Sequence, residues 1–318
     1  MPTARSGHHG DVVYAFEPSF NTGPSTPDFK TFGGNATVDP GGDKNASRIY
    51  NADRNAAEIV PQVFNGSFSV THEITDPMWY VAGILGEPQT SNPSGSLYEH
   101  VYSLSNNNDP KSLRVFLPTD GFSDYVVLPG CVITSLQIDT TQPDNPEATV
   151  SFDYAAEPFT DSSLSPTPPA FSKSTFSNRD GSVRVGGDTV GKTQSATVDV
   201  SDLHTMINEV GSDERADFRT QSYEPSANFT KIIDTSQTVD PLDRFTGETQ
   251  VQFDLELNNG ASGDSEYSHL FTLKETFPDG FAESGRNDPD SDLTEELDEM
   301  GEDMDITITV DESSPPTP

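Results

Sequence analysis

Apolar and polar residues alternate with a period of two in many short runs of this chain, the pattern of strands buried on one face. The runs are 63–70 (VFNGSFSV), 112–117 (SLRVFL), 131–139 (CVITSLQID) and 148–154 (ATVSFDY). They recur at 182–185 (SVRV), 196–200 (ATVDV), 250–257 (QVQFDLEL) and 305–310 (DITITV), with a further strand expected near 267–275. Gly-, Asn-, Asp- and Pro-rich turns such as PTDG at 118–121 and NNG at 258–260 separate them. Two helices are expected. Residues 76–85 (DPMWYVAGIL) offer an Asp cap with Pro behind it, and 201–210 (SDLHTMINEV) place Leu203, Met206, Ile207 and Val210 at helical spacing. The pattern predicts a mainly β protein with short flanking helices.

Residues 161–170 (DSSLSPTPPA) read as a stiff, extended linker. It separates a first β domain over 1–160, with a flexible N-terminus, from a second over 171–318. The halves rhyme. In each, a strand leads through a polar turn to a D-P pair, at Asp76–Pro77 and Asp240–Pro241, and more strands follow. A diverged duplication and two unrelated β sandwiches both fit that rhyme. Residues 279–305 hold twelve acids and one Arg, a density that predicts a solvated surface insertion in the second domain.

Composition adjusts this picture. The 318 residues carry 52 Asp and Glu against 17 Lys and Arg, a net charge of −35. The low apolar fraction, 32%, combined with that charge would by itself suggest disorder, but 29 aromatic residues set in alternating runs argue for folded sheets. The acids spread over both halves, a net of −13 over 1–170 and −22 over 171–318. Such a field repels polyanions and anionic membranes, so binding of nucleic acid in a basic groove and membrane binding are excluded. Concentrated salt would screen the self-repulsion, and a halophilic setting is the first reading of the charge. No apolar run approaches the roughly 18 residues of a membrane span, and the first residues lack the apolar core of a signal peptide.

Candidate chemistry is thin. Residues 186–193 (GGDTVGKT) satisfy the phosphate-binding G-x-x-x-x-G-K-[ST] spacing, but that loop needs a helix after it, and QSATVDV alternates like a strand. A hairpin turn is the better reading. Asp288, Asp290, Asp292 and Glu299 fall at positions 1, 3, 5 and 12 of a Ca²⁺ loop, with Leu293 where Gly belongs, so they make a weak metal candidate. The lone Cys131 reads as a buried small hydrophobe. None of the six histidines is spaced as a zinc pair except the adjacent His8 and His9. Glycosylation sequons begin at Asn35, Asn45, Asn65 and Asn228. The Trp79 cluster reads as a core plug, with a subunit contact as its alternative. No catalytic group and no cofactor is expected, and the protein reads as no enzyme.

Several stretches together resemble the major tail-tube proteins of tailed viruses. They are GSFSV (66–70), ILG (84–86), YEHVYSL (98–104), KSLRVFL (111–117), GCVITSLQI (130–138) and ATVSFDYAAEP (148–158). The second half, with SVRVGG, TQSATVDV and TGETQVQFDLEL, is similar to the later portion of the longer members. The resemblance implies two tandem tail-tube-like β-sandwich or rolled-sheet domains. It further implies a structural virion subunit that self-associates into stacked rings, homotrimeric and pseudo-hexameric, as a conduit for genome delivery. Tail terminator, tape-measure and baseplate proteins would be its partners, DNA would pass without sticking, and a haloarchaeal virus would suit the charge. The subunit would be made in the host cytoplasm and reside in the virion tail. The alternatives are another virion component (terminator, baseplate or decoration protein) or a halophilic surface β-sandwich glycoprotein.

Overall fold

The computed structural model describes residues 12–38, 40–43, 47–50, 56–60, 64–75, 77–93, 95–104, 110–119, 124–166, 176–177, 180–233, 239–247, 249–261, 267–285 and 292–315. The chain opens with β1 (Val13–Phe16), β2 (Lys30–Thr31), β3 (Gly34–Val38), β4 (Gly41–Asp43), β5 (Ser47–Tyr50), β6 (Ala56–Val60) and β7 (Asn65–Glu73). A 3-10 turn, Trp79–Val81, runs into α1 (Ala82–Leu85). Next come β8 (Gln89–Ser91), β9 (Tyr98–Ser103), β10 (Leu113–Pro118), β11 (Tyr125–Asp139), β12 (Glu147–Tyr154) and β13 (Phe159–Asp161). Then follow β14 (Ser182–Val185), β15 (Asp188–Thr189), β16 (Thr193–Ser201), β17 (His204–Asn208), β18 (Arg215–Thr220) and β19 (Glu224–Ile232). The chain closes with α2 (Pro241–Thr246), β20 (Val251–Asn258), β21 (Ser268–Ser284), β22 (Thr294–Met300) and β23 (Asp303–Val310).

Eight antiparallel positions form one continuous sheet, here termed the long sheet. Its order is β3/β4, β7, β12, the second half of β11, β16, β19, β22 and the second half of β21. Behind it lie two further layers. One holds β2, β1, β10, the first half of β11 and β13. The other holds β15, β14, β20, the first half of β21, β23, β9 and β8. Strands therefore pair across the chain midpoint twice, β11 with β16 and β9 with β23.

The alternation explains the layering. In β7 the inward set is Gly66, Phe68, Val70 and His72, and in β12 it is Ala148, Val150, Phe152 and Tyr154. In β16 it is Ala196, Val198 and Val200. These meet Tyr14, Phe32, Leu128, Phe253, Phe271 and Ile306 in one core that runs through both halves. Phe68 and Phe152 stack with ring centroids 4.8 Å apart. Trp79, Tyr80 and α1 are buried under this core, as a plug should be.

The pairing pattern recurs. In the first half, β7 pairs β12 and β12 pairs β11; in the second, β19 pairs β22 and β22 pairs β21. Within the long sheet each long strand bulges at one place, at Thr134 between Ile133 and Ser135 and at Asp279 between Pro278 and Gly280. Each also leaves one layer for the other. Cys131 is the last β11 residue paired to β10 and Val132 the first paired to β12; Thr276 and Phe277 are the corresponding residues of β21.

Two expectations are corrected. Residues 201–210 are no helix: Leu203 and His204 turn inward, and β17 pairs with β18 as a separate ribbon. The acidic stretch 279–305 is no solvated insertion. Its described residues complete β21, form β22 and begin β23, because Glu295, Leu297 and Glu299 alternate inward while Glu296 and Asp298 face out. The inward acids have cationic company in the Arg244–Glu299 ion pair under α2. The second helix instead begins at the D-P pair at 240, where Asp240 Oδ1 accepts from the Leu242 and Asp243 N–H groups at 3.0 and 3.2 Å. Of the expected linker, Asp161 ends β13, 162–166 form no strand, and 167–170 lie outside the described residues.

Candidate functional site

The outward face of the long sheet is the most distinctive surface. Registered neighbours form rows that cross it from edge to edge. One row runs Thr37, Thr71, Thr149, Gln137, Asp199, Ser226, Met300 and Phe277. Another runs Gly34, Glu73, Glu147, Asp139, Thr197, Asn228, Asp298 and Gly280. Apart from Met300 and Phe277 at one end, these positions are hydroxyls, amides, carboxylates or glycine.

Short cross-strand hydrogen bonds tie the face together. Ser69 and Ser151 hydroxyls meet at 3.1 Å, as do those of Thr71 and Thr149. Asn228 Nδ2 donates to Glu296 Oε1 at 2.8 Å and to Asp298 Oδ1 at 2.5 Å, lodging one amide between two carboxylates. Asn35 Nδ2 donates to Glu73 Oε1 at 2.8 Å. Partial burial pushes the Asp199 carboxyl above its usual range. The strands of this sheet contribute a single base, Lys231, and its side chain is buried on the opposite face with Nζ donating to Val239 O. The outward field is therefore purely negative where strands supply it.

A ribbon crosses one end of this face. β17–β18 leaves the C-terminal end of β16 and returns against the first half of the sheet. The Leu203 N–H donates to Thr134 O at 3.1 Å, His204 Nδ1 lies 2.7 Å from Ile133 O, and Arg215 Nη1 donates to Asp153 Oδ2 at 3.2 Å. Arg215 Nη2 reaches Asn65 Oδ1 as well.

The sheet ends in two open edges. Among the described residues β3 and β4 pair only with β7 within this sheet, and 277–284 of β21 pair only with β22.

The other candidates are not brought together. Asp288 and Asp290 lie outside the described residues, Asp292 is exposed, and Glu299 is fully buried with both carboxylate oxygens held by Arg244 at 2.8 Å. The described residues contain no group of three or more His, Cys, Asp or Glu poised for a metal. Residues 182–201 form strand, turn, strand, turn and strand, so no helix follows GGDTVGKT. Cys131 is fully buried, its thiol 3.2 Å from Leu128 O and pushed to high pKa by burial. His72, His100, His204 and His269 are buried and hydrogen-bonded, and His8 and His9 lie outside the described residues. Asn35, Asn65 and Asn228 sit on strands with their amides engaged, and Asn45 lies outside. The polar face was missed in the sequence. Its signal was present all the same: the positions between apolar ones in β7, β12, β16 and β22 are Ser, Thr, Asn, Asp, Gln or Glu and never Lys or Arg.

A continuous sheet with a base-free polar face, a core behind it and open edges defines a structural β subunit. Among the described residues it carries no assembled catalytic centre. A family profile described as phage tail tube protein matches residues 7–311, and the chain belongs to that family. It is accordingly a structural, non-enzymatic component of the tail tube of the virion. No match was found among curated proteins.

Proposed function

We propose that three copies of the chain close into a ring, that rings stack into the tube, and that the polar face of the long sheet lines the bore. The supporting observation is the β11–β16 junction, where Leu136, Gln137, Ile138 and Asp139 pair with Val200, Asp199, Val198 and Thr197. It joins the last strand of one four-strand set to the first strand of an equivalent set, head to tail. A head-to-tail contact repeats until the rotation closes it. The chain is then two tube units in tandem, 1–160 and 171–318, linked by 161–170, and three chains supply the six units of a pseudo-hexamer.

Eight strand positions per chain give a barrel of about 24 strands, with a backbone diameter of about 45–50 Å at ordinary strand spacing and tilt. Carboxylates such as Glu147, Asp139, Asp199 and Asp298 would face passing DNA and repel it, while Ser and Thr hydroxyls leave nothing cationic for phosphate to grip. The same charge suits assembly in concentrated salt, as in a haloarchaeal host. Tail terminator, tape-measure and baseplate proteins are the further partners of such a tube. Electron microscopy of the purified protein in molar salt tests the reading: it predicts rings or tubes, and a strict monomer across concentration and salt contradicts it.

A further inference from the structure

The internal junction is a template for the external one. Superposing the two pairing patterns through their bulges puts Thr134 on Asp279, Val132 on Phe277, Leu136 on Phe281 and Gln137 on Ala282. On the other side, the β7 and β19 registers put Val70 on Phe229 and Ser67 on Ser226. Gly41 pairs with Ser67 and Asp199 with Ser226, so Gly41 stands where Asp199 does. Gly42 then matches Val200, and Val38 matches Ala196 through their partners Val70 and Phe229.

The equivalence extends to the ribbons. β17–β18 lies between β16 and β19; β5–β6 lies between β4 and β7 and, among the described residues, pairs only with itself. The β17–β18 ribbon bonds to backbone beside Val132 and to Asp153. The matching positions in the second half are Phe277 and Met300, registered opposite each other. Val132 is 1% exposed, whereas Phe277 is 41% and Met300 50% exposed. A strand edge lined by a naked apolar pair, at the place where an equivalent edge is covered, calls for a partner.

We propose that the 277–284 edge of β21, with Phe277 and Met300, is the docking surface for a second copy of this chain. The incoming copy adds its β3–β4 edge with Gly41 opposite Ala282 and Gly42 opposite Phe281, as Asp199 and Val200 oppose Gln137 and Leu136 within one chain. Its β5–β6 ribbon lies over Phe277 and Met300. Pro40, standing where Val198 does, withholds one N–H from this ladder, so the join between copies has one backbone bond fewer than the join within a chain. This surface rests on the ring reading above and adds its register.

Disulfide trapping tests it. Gln137 and Asp199 form a pair without mutual backbone bonds, since the pair Thr140–Ala196, three positions along the ladder, exchanges bonds both ways and the two kinds of pair alternate. Such pairs place Cα atoms about 4.5 Å apart, within disulfide reach. A Cβ at Gly41 meets nothing nearer than Ser67 O at 3.7 Å, so the site accepts Cys. The double variant Gly41→Cys/Ala282→Cys, oxidised after assembly, should give covalent multimers up to the ring size. Each single variant should give none, and so should Asp43→Cys/Ser284→Cys, about 13 Å out of register. Phe277→Glu, at an exposed site, should raise the concentration for half-assembly at least tenfold without lowering the unfolding temperature. If wild-type rings form but only the out-of-register pair cross-links, or neither pair does, the surface is wrong and the ring reading stands. Assembly of Phe277→Glu at the wild-type concentration likewise overturns the surface. A wild-type protein that never assembles overturns both.

Discussion

Gly130 and Glu275 occupy the same bend in the two long strands, each at positive φ, 60° and 52°, two residues before its strand crosses to the long sheet. Glycine adopts that backbone freely, while a residue with a Cβ is strained there by about 1–2 kcal/mol. Glu275→Gly should therefore stabilise the protein by about 0.5–1 kcal/mol. Gly130→Ala should destabilise it by more than 2 kcal/mol, about the upper range of that strain, because its Cβ would also lie 2.6 Å from Ala155 Cβ. Chemical denaturation in molar salt measures both; equal effects of the same sign would refute the equivalence of the bends.

The Arg244 guanidinium grips Glu299 through two parallel 2.8 Å hydrogen bonds and donates from Nη2 to Thr276 O at 2.8 Å. It fixes α2 against β22 and the bend of β21. Removing one partner of a buried pair strands the other charge, at a cost of about 3–5 kcal/mol. Arg244→Ala should show that loss in a denaturant titration, with little change between low and high salt because the pair is shielded from solvent ions. A loss below about 1 kcal/mol, the range of exposed pairs, would contradict this placement.

Acid should unfold the subunit through its histidines. Burial lowers His72 to about 4 and His269 to about 3, each from an ordinary value near 6.5. A lowered histidine pKa means the unfolded chain binds the proton more tightly. The stability from the neutral rings is thus complete above about pH 6.5 and is lost as pH falls toward the folded values. His72 also bonds to Tyr80 OH at 3.0 Å, so protonation disturbs the plug. Thermal unfolding between pH 7 and 4 should show a falling midpoint, and His72→Gln should flatten part of that slope. A midpoint unchanged to pH 4 would contradict the burial argument.

Charge on the bore decides whether DNA slides or sticks. Assembled wild-type protein should retain no duplex DNA even at low salt. The triple variant Asp199→Lys/Glu296→Lys/Asp298→Lys should retain it, and the binding should weaken steeply as salt rises. DNA pelleting with tubes measures this. Binding that is equal in the two proteins would place this face away from the bore.

Much of the sheet was legible because burial enforces period two wherever a strand has one wet face. ATVSFDY and TQSATVDV show it plainly, and both are strands. SDLHTMINEV misled because Leu203, Met206 and Ile207 also fit a helical spacing. Only pairing with β18, which local sequence cannot reveal, makes it a ribbon. TEELDEM misled for a different reason. Its inward Glu295 and Glu299 break the apolar alternation, and the cation that permits Glu299 there, Arg244, lies 55 residues away in sequence. The polar face escaped notice because it is a property of eight strands side by side. Each strand alone shows only ordinary outward Ser and Thr.

Counting chains in a ring tests the central claim most directly. Native mass spectrometry or a cryo-EM reconstruction of rings assembled in molar salt should find three copies of the chain, with six quasi-equivalent four-strand sets around the bore. A ring of six copies, or a bore lined by any surface other than the Thr149–Asp199 face, would contradict the account.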